Sequence, residues 1–296
     1  MPLGNGGASK ESMKLCRSRI AVAIVFVAVL ASEGGVEAVE NRPQPFRPGE
    51  TLTYDVNWSV FPAGKLTATL SRDKHVPGDA YLIKTTADSQ GFVSLMYKVQ
   101  DEFQSVFNPK TLCSIEISKQ INEGSHHRIT KITFDGYRGM AILDEHYLGG
   151  ENKPPKHDEH AIPPCAQDII TAFYYVRSQP LYVGKKIKLA VNDGSKTRIV
   201  VAEVKGRKKI QSPLGDREAL RVVPTVFGNL YEKKKGKIVI WFSDDAYHFP
   251  LRIKVSLKLG AITGTLTSVS PLPPGYALPG KANGETKATR SASTIK

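Results

Sequence analysis

The side chains best suited by type to do chemistry lie in two short stretches. His157, Asp158, Glu159, His160 and Cys165 bring imidazole, carboxylate and thiol close together in the chain, the nitrogen, oxygen and sulfur donors that transition metals take. In IWFSDDAYHFPLRIKV, Asp244 and Asp245 precede His248 at the end of an apolar run, and a pair of carboxylates can divide acid and base work when their surroundings separate the two pKa values. Neither stretch has the spacing its chemistry needs. His157, His160 and Cys165 would be the metal ligands, but no helical or strand period fixes them, and the surrounding GGENKPPKHDEHAIPP reads as a solvated loop over residues 149–164. We therefore expect no metal centre. Asp244 and Asp245 sit where one alternating strand must reverse into the next, and short Asp and Ser side chains suit turns because they hydrogen-bond nearby backbone N–H groups. Adjacent His126 and His127 would point to opposite faces of a strand. The chain holds no Gly-x-Ser-x-Gly, no Gly-rich phosphate loop, no His-Glu-x-x-His and no Cys-x-x-Cys. No catalytic residue and no cofactor is assigned.

The elements that position these residues are mostly strands. Leu52, Tyr54, Val56 and Trp58 alternate with polar residues, as do Leu66, Ala68 and Leu70 beyond Pro62-Ala63-Gly64, which predicts a half-buried hairpin turning at that tripeptide. Further strands are expected over Tyr81–Ala87, Tyr97–Phe107, Leu112–Ile121, Arg128–Phe134, Arg138–Leu143, Ile187–Val191, Thr197–Val204, Lys208–Ser212, Glu218–Val223 and on both sides of Ser243–Pro250. Their short connections imply antiparallel pairing. One helix interrupts them: from Gln167 to Ser178, Ile169, Ala172, Phe173 and Val176 fall on one face, with prolines outside both ends. It should lie apolar side down on the sheet. From Pro271 onward periodicity is lost and a disordered basic tail is expected over 271–296.

At the N-terminus Lys14, Arg17 and Arg19 precede the apolar run Ile20–Leu30, and the small-residue pattern Val36-Glu37-Ala38 follows. That order is a secretory signal over residues 1–38, cleaved near Ala38. The run falls short of the roughly 20 residues that a spanning helix needs, and Cys16 precedes it, which does not suit a lipid-modified N-terminus. We expect an exported, periplasmic protein with one domain over 39–270 and no transmembrane segment after cleavage. Removing the signal also removes Cys16. Cys113 and Cys165 are then the only cysteines, and an oxidising compartment favours a disulfide between them if they approach; two separate buried thiols are the alternative. The net charge of +13 favours anionic neighbours such as lipid head groups or acidic glycans, and export argues against nucleic acid. The run Tyr231–Lys237, YEKKKGK, is either such a contact or a solvated turn.

FRPGETLTYDVNWSVFPAGKLTATL, QDIITAFYYVRSQPLYVGKKIKLAV, IQSPLGDREALRVVP and IVIWFSDDAYHFPLRIKVSLKLGAITGTL, taken in order, resemble the bacterial exported family catalogued as domain of unknown function 3108. The likeness covers nearly all of Phe46–Ser268. It implies a mainly β, extracytoplasmic protein with a single antiparallel, strongly curved sheet, a half-barrel or β-spiral with one covering helix, and it carries no catalytic residues. If the sheet curls in this way, Phe173, Tyr174 and Arg177 of the helix with Trp58 and Trp241 would line an apolar groove, Arg177 pairing with an anionic head group; a packed interior with Arg177 reaching solvent is the alternative. The expected function is a non-catalytic binding or carrier module of the cell envelope for a lipid- or glycan-like ligand. An envelope assembly factor acting through protein contacts, or a hydrolase with dispersed catalytic groups, are the other readings.

Overall fold

The structure, a computed structural model, describes residues 44–148, 153–226, 238–273 and Tyr276; the segment 1–38 expected to be a secretory signal, Tyr231–Lys237 and most of the tail lie outside them. Fourteen strands follow one another: β1 (Thr51–Trp58), β2 (Phe61–Arg72), β3 (Tyr81–Ser89), β4 (Gln100–Phe107), β5 (Ser114–Glu123), β6 (His126–Asp135), β7 (Met140–Leu148), β8 (Lys156–Ala161), β9 (Lys186–Asn192), β10 (Thr197–Ile210), β11 (Arg217–Val226), β12 (Ile238–Ser243), β13 (Pro250–Ser256) and β14 (Ala261–Ser270). They form one antiparallel sheet in the order β8 down to β1, then β14 down to β9. The first and last strands meet in its middle, and the sheet is not closed. Among the described residues no helix is long and apolar enough to cross a membrane.

Several sequence expectations need correction. The loop expected over 149–164 contains β8, paired with β7. Its KHDEHA has no hydrophobic period, and its place in the sheet is held by polar contacts such as His157 Nδ1 to Asp144 Oδ1 at 2.7 Å and Arg138 to Glu159 at 2.9 Å. Such charge is how an edge strand avoids pairing with another chain. The two strands expected across Thr197–Ser212 are one, β10, interrupted by a bulge between Val204 and Gly206. The first hairpin turns at Ser59 and Val60, and Pro62-Ala63-Gly64 lies within β2. Gly64 is needed there because a Cβ would run into the Asp88 carbonyl oxygen of the neighbouring strand. There are two helices in the described residues: α1 (Gly91–Met96), where the extended stretch toward Phe107 was expected to begin nearby, and α2 (Ile169–Ser178). The tail is not featureless from Pro271, since the Tyr276 ring packs edge-on to Tyr247 and Phe249 at centroid distances of 5.6 and 5.3 Å.

The curl of the sheet brings its two ends together without strand pairing. Asn192 Nδ2 on β9 donates to His160 Nε2 on β8 at 2.7 Å. The segment leading into α2 spans the gap, with Ser114 N donating to Ala166 O and Gln167 N to Ala190 O. Inside lies the main apolar cluster, where Leu70, Ile83, Phe107, Val204, Leu220 and Phe242 surround α2.

Candidate functional site

α2 begins where Asp168 stops the preceding extended chain. The Asp168 carboxylate is fully buried. Its Oδ1 accepts from Ile170 N and Thr171 N at 2.7 and 3.1 Å, and its Oδ2 accepts from the hydroxyls of Ser105, Ser114 and Thr171 at 2.7, 2.6 and 2.8 Å. A capping residue of this kind satisfies the free N–H groups of the first turn; here it also ties the helix to β4 and β5. The hydroxyls bond the carboxylate directly, with no imidazole between, so the group is a cap and not a nucleophile with its base. Next to it Cys113 and Cys165 are joined by a disulfide, with Cα atoms 4.5 Å apart.

The far end of α2 is held by the stretch that prompted the question of acid-base chemistry. Arg177 is 1% exposed. Its Nη1 and Nη2 donate to the two Glu50 carboxylate oxygens at 2.5 and 2.8 Å, Nε to Tyr247 O at 2.8 Å, and Nη2 also to Pro45 O at 3.2 Å. Burial opposes the guanidinium charge, but the bond to Glu50 outweighs it and holds the pKa above the ordinary arginine value. His248 Nδ1 lies 2.9 Å from Arg177 O; because a carbonyl only accepts, this nitrogen carries the proton. Asp245 Oδ1 accepts from Tyr247 N at 2.9 Å and from Ser243 Oγ at 2.9 Å, shaping the turn that presents these groups. Asp244 faces outward to Arg207 at 2.5 Å. The turn is thus a clamp on the helix.

A third polar group was not anticipated. On the inward face of β4 to β7, Asp101, Lys119, Glu123, Thr130 and Glu145 are buried. Tyr97 donates to Glu123 at 3.0 Å, Tyr147 to Glu145 at 2.6 Å, and Arg128 pairs with Glu145 at 3.3 Å. Burial pushes the Asp101 carboxyl above the usual range, against a hydrogen bond from Asn122 N, and burial lowers Lys119. The sequence carried a signal for it: Asp101, Lys119 and Glu145 occupy the same alternating phase as Phe103, Ile117 and Leu143. Polar residues in the inward phase mark a buried polar layer. Glu50 had no comparable signal, because it precedes the alternating run.

The five residues expected to share a groove do not meet in one. Tyr174 and Arg177 are in the interior, with Phe173 partly buried against the same cluster. Trp241 stands opposite Arg252 and Arg221 in register, so it shares their face of the sheet and not that of Ile240 and Phe242. Trp58 is 38% exposed at the tip of the first hairpin, its indole N–H donating to Leu259 O at 3.1 Å. α2 is buried on nearly every side, with only Ile170, Phe173 and Ser178 of intermediate exposure, so it fills the sheet instead of covering it. Arg177 reaches neither a rim nor solvent. Two shallow clefts, of about 140 Å³ beside Phe46, Glu50 and Tyr247 and about 100 Å³ beside Cys113 and Ile162, are below the roughly 300 Å³ at which small-molecule pockets begin. The metal candidates are likewise separated. His157 bonds Asp144, His160 bonds Asn192, and Cys165 is spent in the disulfide. Among the described residues no cluster of three or more metal-ligating side chains forms.

An open, curled antiparallel sheet plugged by a clamped helix defines a β-barrel-like protein. A crystal structure described as a beta-barrel-like protein of domain of unknown function DUF1849 from Brucella abortus superimposes with a TM-score of 0.52 at 6% identity, over 74% of this chain and 96% of that one. The likeness is one of fold. The family described as Protein of unknown function (DUF3108) matches residues 53–267, and the chain belongs to it. No curated protein matches the sequence.

Proposed function

We propose that this is an exported, non-catalytic binding module of the cell envelope, periplasmic in location, that meets an anionic lipid- or glycan-like ligand at its outer surface. The observation that carries the reading is the state of the interior. The helix expected to roof a groove is itself the filling, and the Arg177 guanidinium expected to meet an anionic head group is committed to Glu50, Tyr247 O and Pro45 O. Basic side chains outside are plentiful by contrast. Lys186, Lys188, Lys205, Arg207, Lys208 and Lys209 of the edge hairpin β9–β10 are all exposed; Lys205, Arg207 and Lys209 pair with Glu203, Asp244 and Asp216, and the excess of positive charge that Lys186, Lys188 and Lys208 add attracts polyanions at long range. The test is titration of the protein with phosphatidylglycerol vesicles and with an acidic polysaccharide such as heparin at two salt concentrations. Saturable binding weakened by salt supports the reading; a wild type that binds neither removes it. Extraction of natively purified protein followed by mass spectrometry addresses the enclosed-carrier version, for which a co-purifying acyl chain is required.

A further inference from the structure

One end of the sheet exposes apolar side chains that the fold does not use. Val60 and Phe61 at the β1–β2 tip, Phe92, Leu95 and Met96 on α1, and Leu259 in the β13–β14 turn are between 60 and 87% exposed. Single exposed apolar residues are ordinary, but a contiguous group signals an interaction surface. These are contiguous because the three segments are bonded to each other. Ser59 N donates to Ala261 O at 2.6 Å and the Trp58 indole to Leu259 O at 3.1 Å, joining the hairpin tip to the β13–β14 turn. Gln90 N donates to Ala63 O at 2.8 Å, setting the start of α1 against β2. α1 has the sequence GFVSLM and buries none of its residues. A helix with four apolar side chains in six positions, none of them in the core, is not there to stabilise the fold.

We infer that this end is a membrane-docking surface, whose apolar tips insert into the interface of an anionic phospholipid bilayer while surrounding lysines meet the lipid phosphates. The proposal rests on the surface-binding reading above and names the partner and the place. Lys98, Lys254 and Lys258 stand exposed near the tips, with Lys65, which pairs with Asp55 at 3.6 Å and stands opposite Asp88 in register. Apolar projections ringed by cations match the layering of a bilayer surface, where anionic phosphates lie over hydrocarbon. Trp58, beside the tips, is of the residue type enriched at that boundary because its ring is apolar with one polar edge. A second copy of this chain is a poorer occupant, since two lysine-ringed ends of a protein carrying +13 would repel. The described ends of the chain do not cover the surface either. Thr51 pairs with Ser270 at the opposite end of β1 from Trp58, so both lie about 20 Å or more away along the strand.

The experiment uses the chain from Val39, which contains every described element. Vesicles of phosphatidylcholine alone and of phosphatidylcholine with phosphatidylglycerol are titrated with wild type and with the triple variant Phe61→Ser, Phe92→Ser, Leu95→Ser, whose exposed sites leave the thermal melt as a control for folding. The expected result is binding to the anionic vesicles that falls at least tenfold in the triple variant. In a Trp241→Phe background, Trp58 emission shifts to the blue and is quenched by brominated lipid. Lys65→Gln with Lys98→Gln and Lys258→Gln should reduce the preference for phosphatidylglycerol while retaining the blue shift at high lipid. Undiminished vesicle binding by the triple serine variant overturns the docking end and leaves the surface-binding reading standing. Failure of the wild type to bind either vesicles or heparin overturns both, and binding to heparin alone overturns the membrane and leaves the surface-binding reading standing. A wild type that ignores vesicles but sediments as a dimer dispersed by the serine substitutions assigns the end to a second copy and overturns the membrane.

Discussion

Arg177 and Glu50 neutralise each other out of water, and removing one member leaves the other charge buried and unpaired. Arg177→Ala is expected to destabilise by about 3–5 kcal/mol, read from urea midpoints, whereas replacing the pair together by Leu and Met should recover most of that loss. A double variant as unstable as the single one would show that the pair does more than fill its site. Asp101 offers a pH test. Its carboxyl is raised in the folded protein by burial, so the native state holds its proton to higher pH than the unfolded chain does. Stability is therefore greatest below the unfolded pKa of about 4 and falls as pH rises through the folded value. Asp101→Asn should flatten that decline in melts taken across mildly acidic pH; an unchanged slope assigns it to other groups. Asp244→Asn and Asp245→Asn, which keep an acceptor oxygen at each position, should each cost about 1 kcal/mol or less. Loss of an activity with an unaltered melt in either variant would return the turn to catalysis.

At the scale of elements, α2 is fixed at one end by Asp168 and the disulfide and at the other by the clamp, and both ends are testable. The Cys113–Cys165 bridge encloses a sequence separation of 52, for which the chain-entropy account gives about 4 kcal/mol. Thiol titration of the denatured, unreduced protein from Val39 should find no free thiol, and Cys113→Ser with Cys165→Ser should lower the urea midpoint accordingly. Two free thiols per chain would exclude the bridge. α2 was legible to within two residues, because flanking prolines and an apolar period mark a helix locally; its burial on nearly all sides was not, since Arg177 read as a groove or solvent residue until Glu50 and Tyr247 are brought to it. The long alternating strands were legible for the same local reason. β8 and α1 were not: one is a charged edge and the other is six residues long, and neither needs a hydrophobic period because neither contributes to the apolar clusters.

For the whole molecule, the segment 1–38 predicts export. The protein recovered from the periplasmic fraction of a bacterial host should begin at Val39 by N-terminal sequencing, while intact Met1 in the membrane fraction would favour an anchor. The sequence by itself determined the class of fold, the antiparallel pairing, the position of the helix and the turn at Ser243–Pro250, because alternation, helical spacing and turn chemistry act between neighbours along the chain. Tertiary structure alone decided that β1 pairs with β14, that the sheet's two ends meet across Asn192 and His160, that the helix fills the interior and that the exposed apolar tips gather at one end. Those contacts join residues far apart in sequence, and the partner of a buried charge or an unburied Phe is set by where the curled sheet places it, which no local pattern encodes.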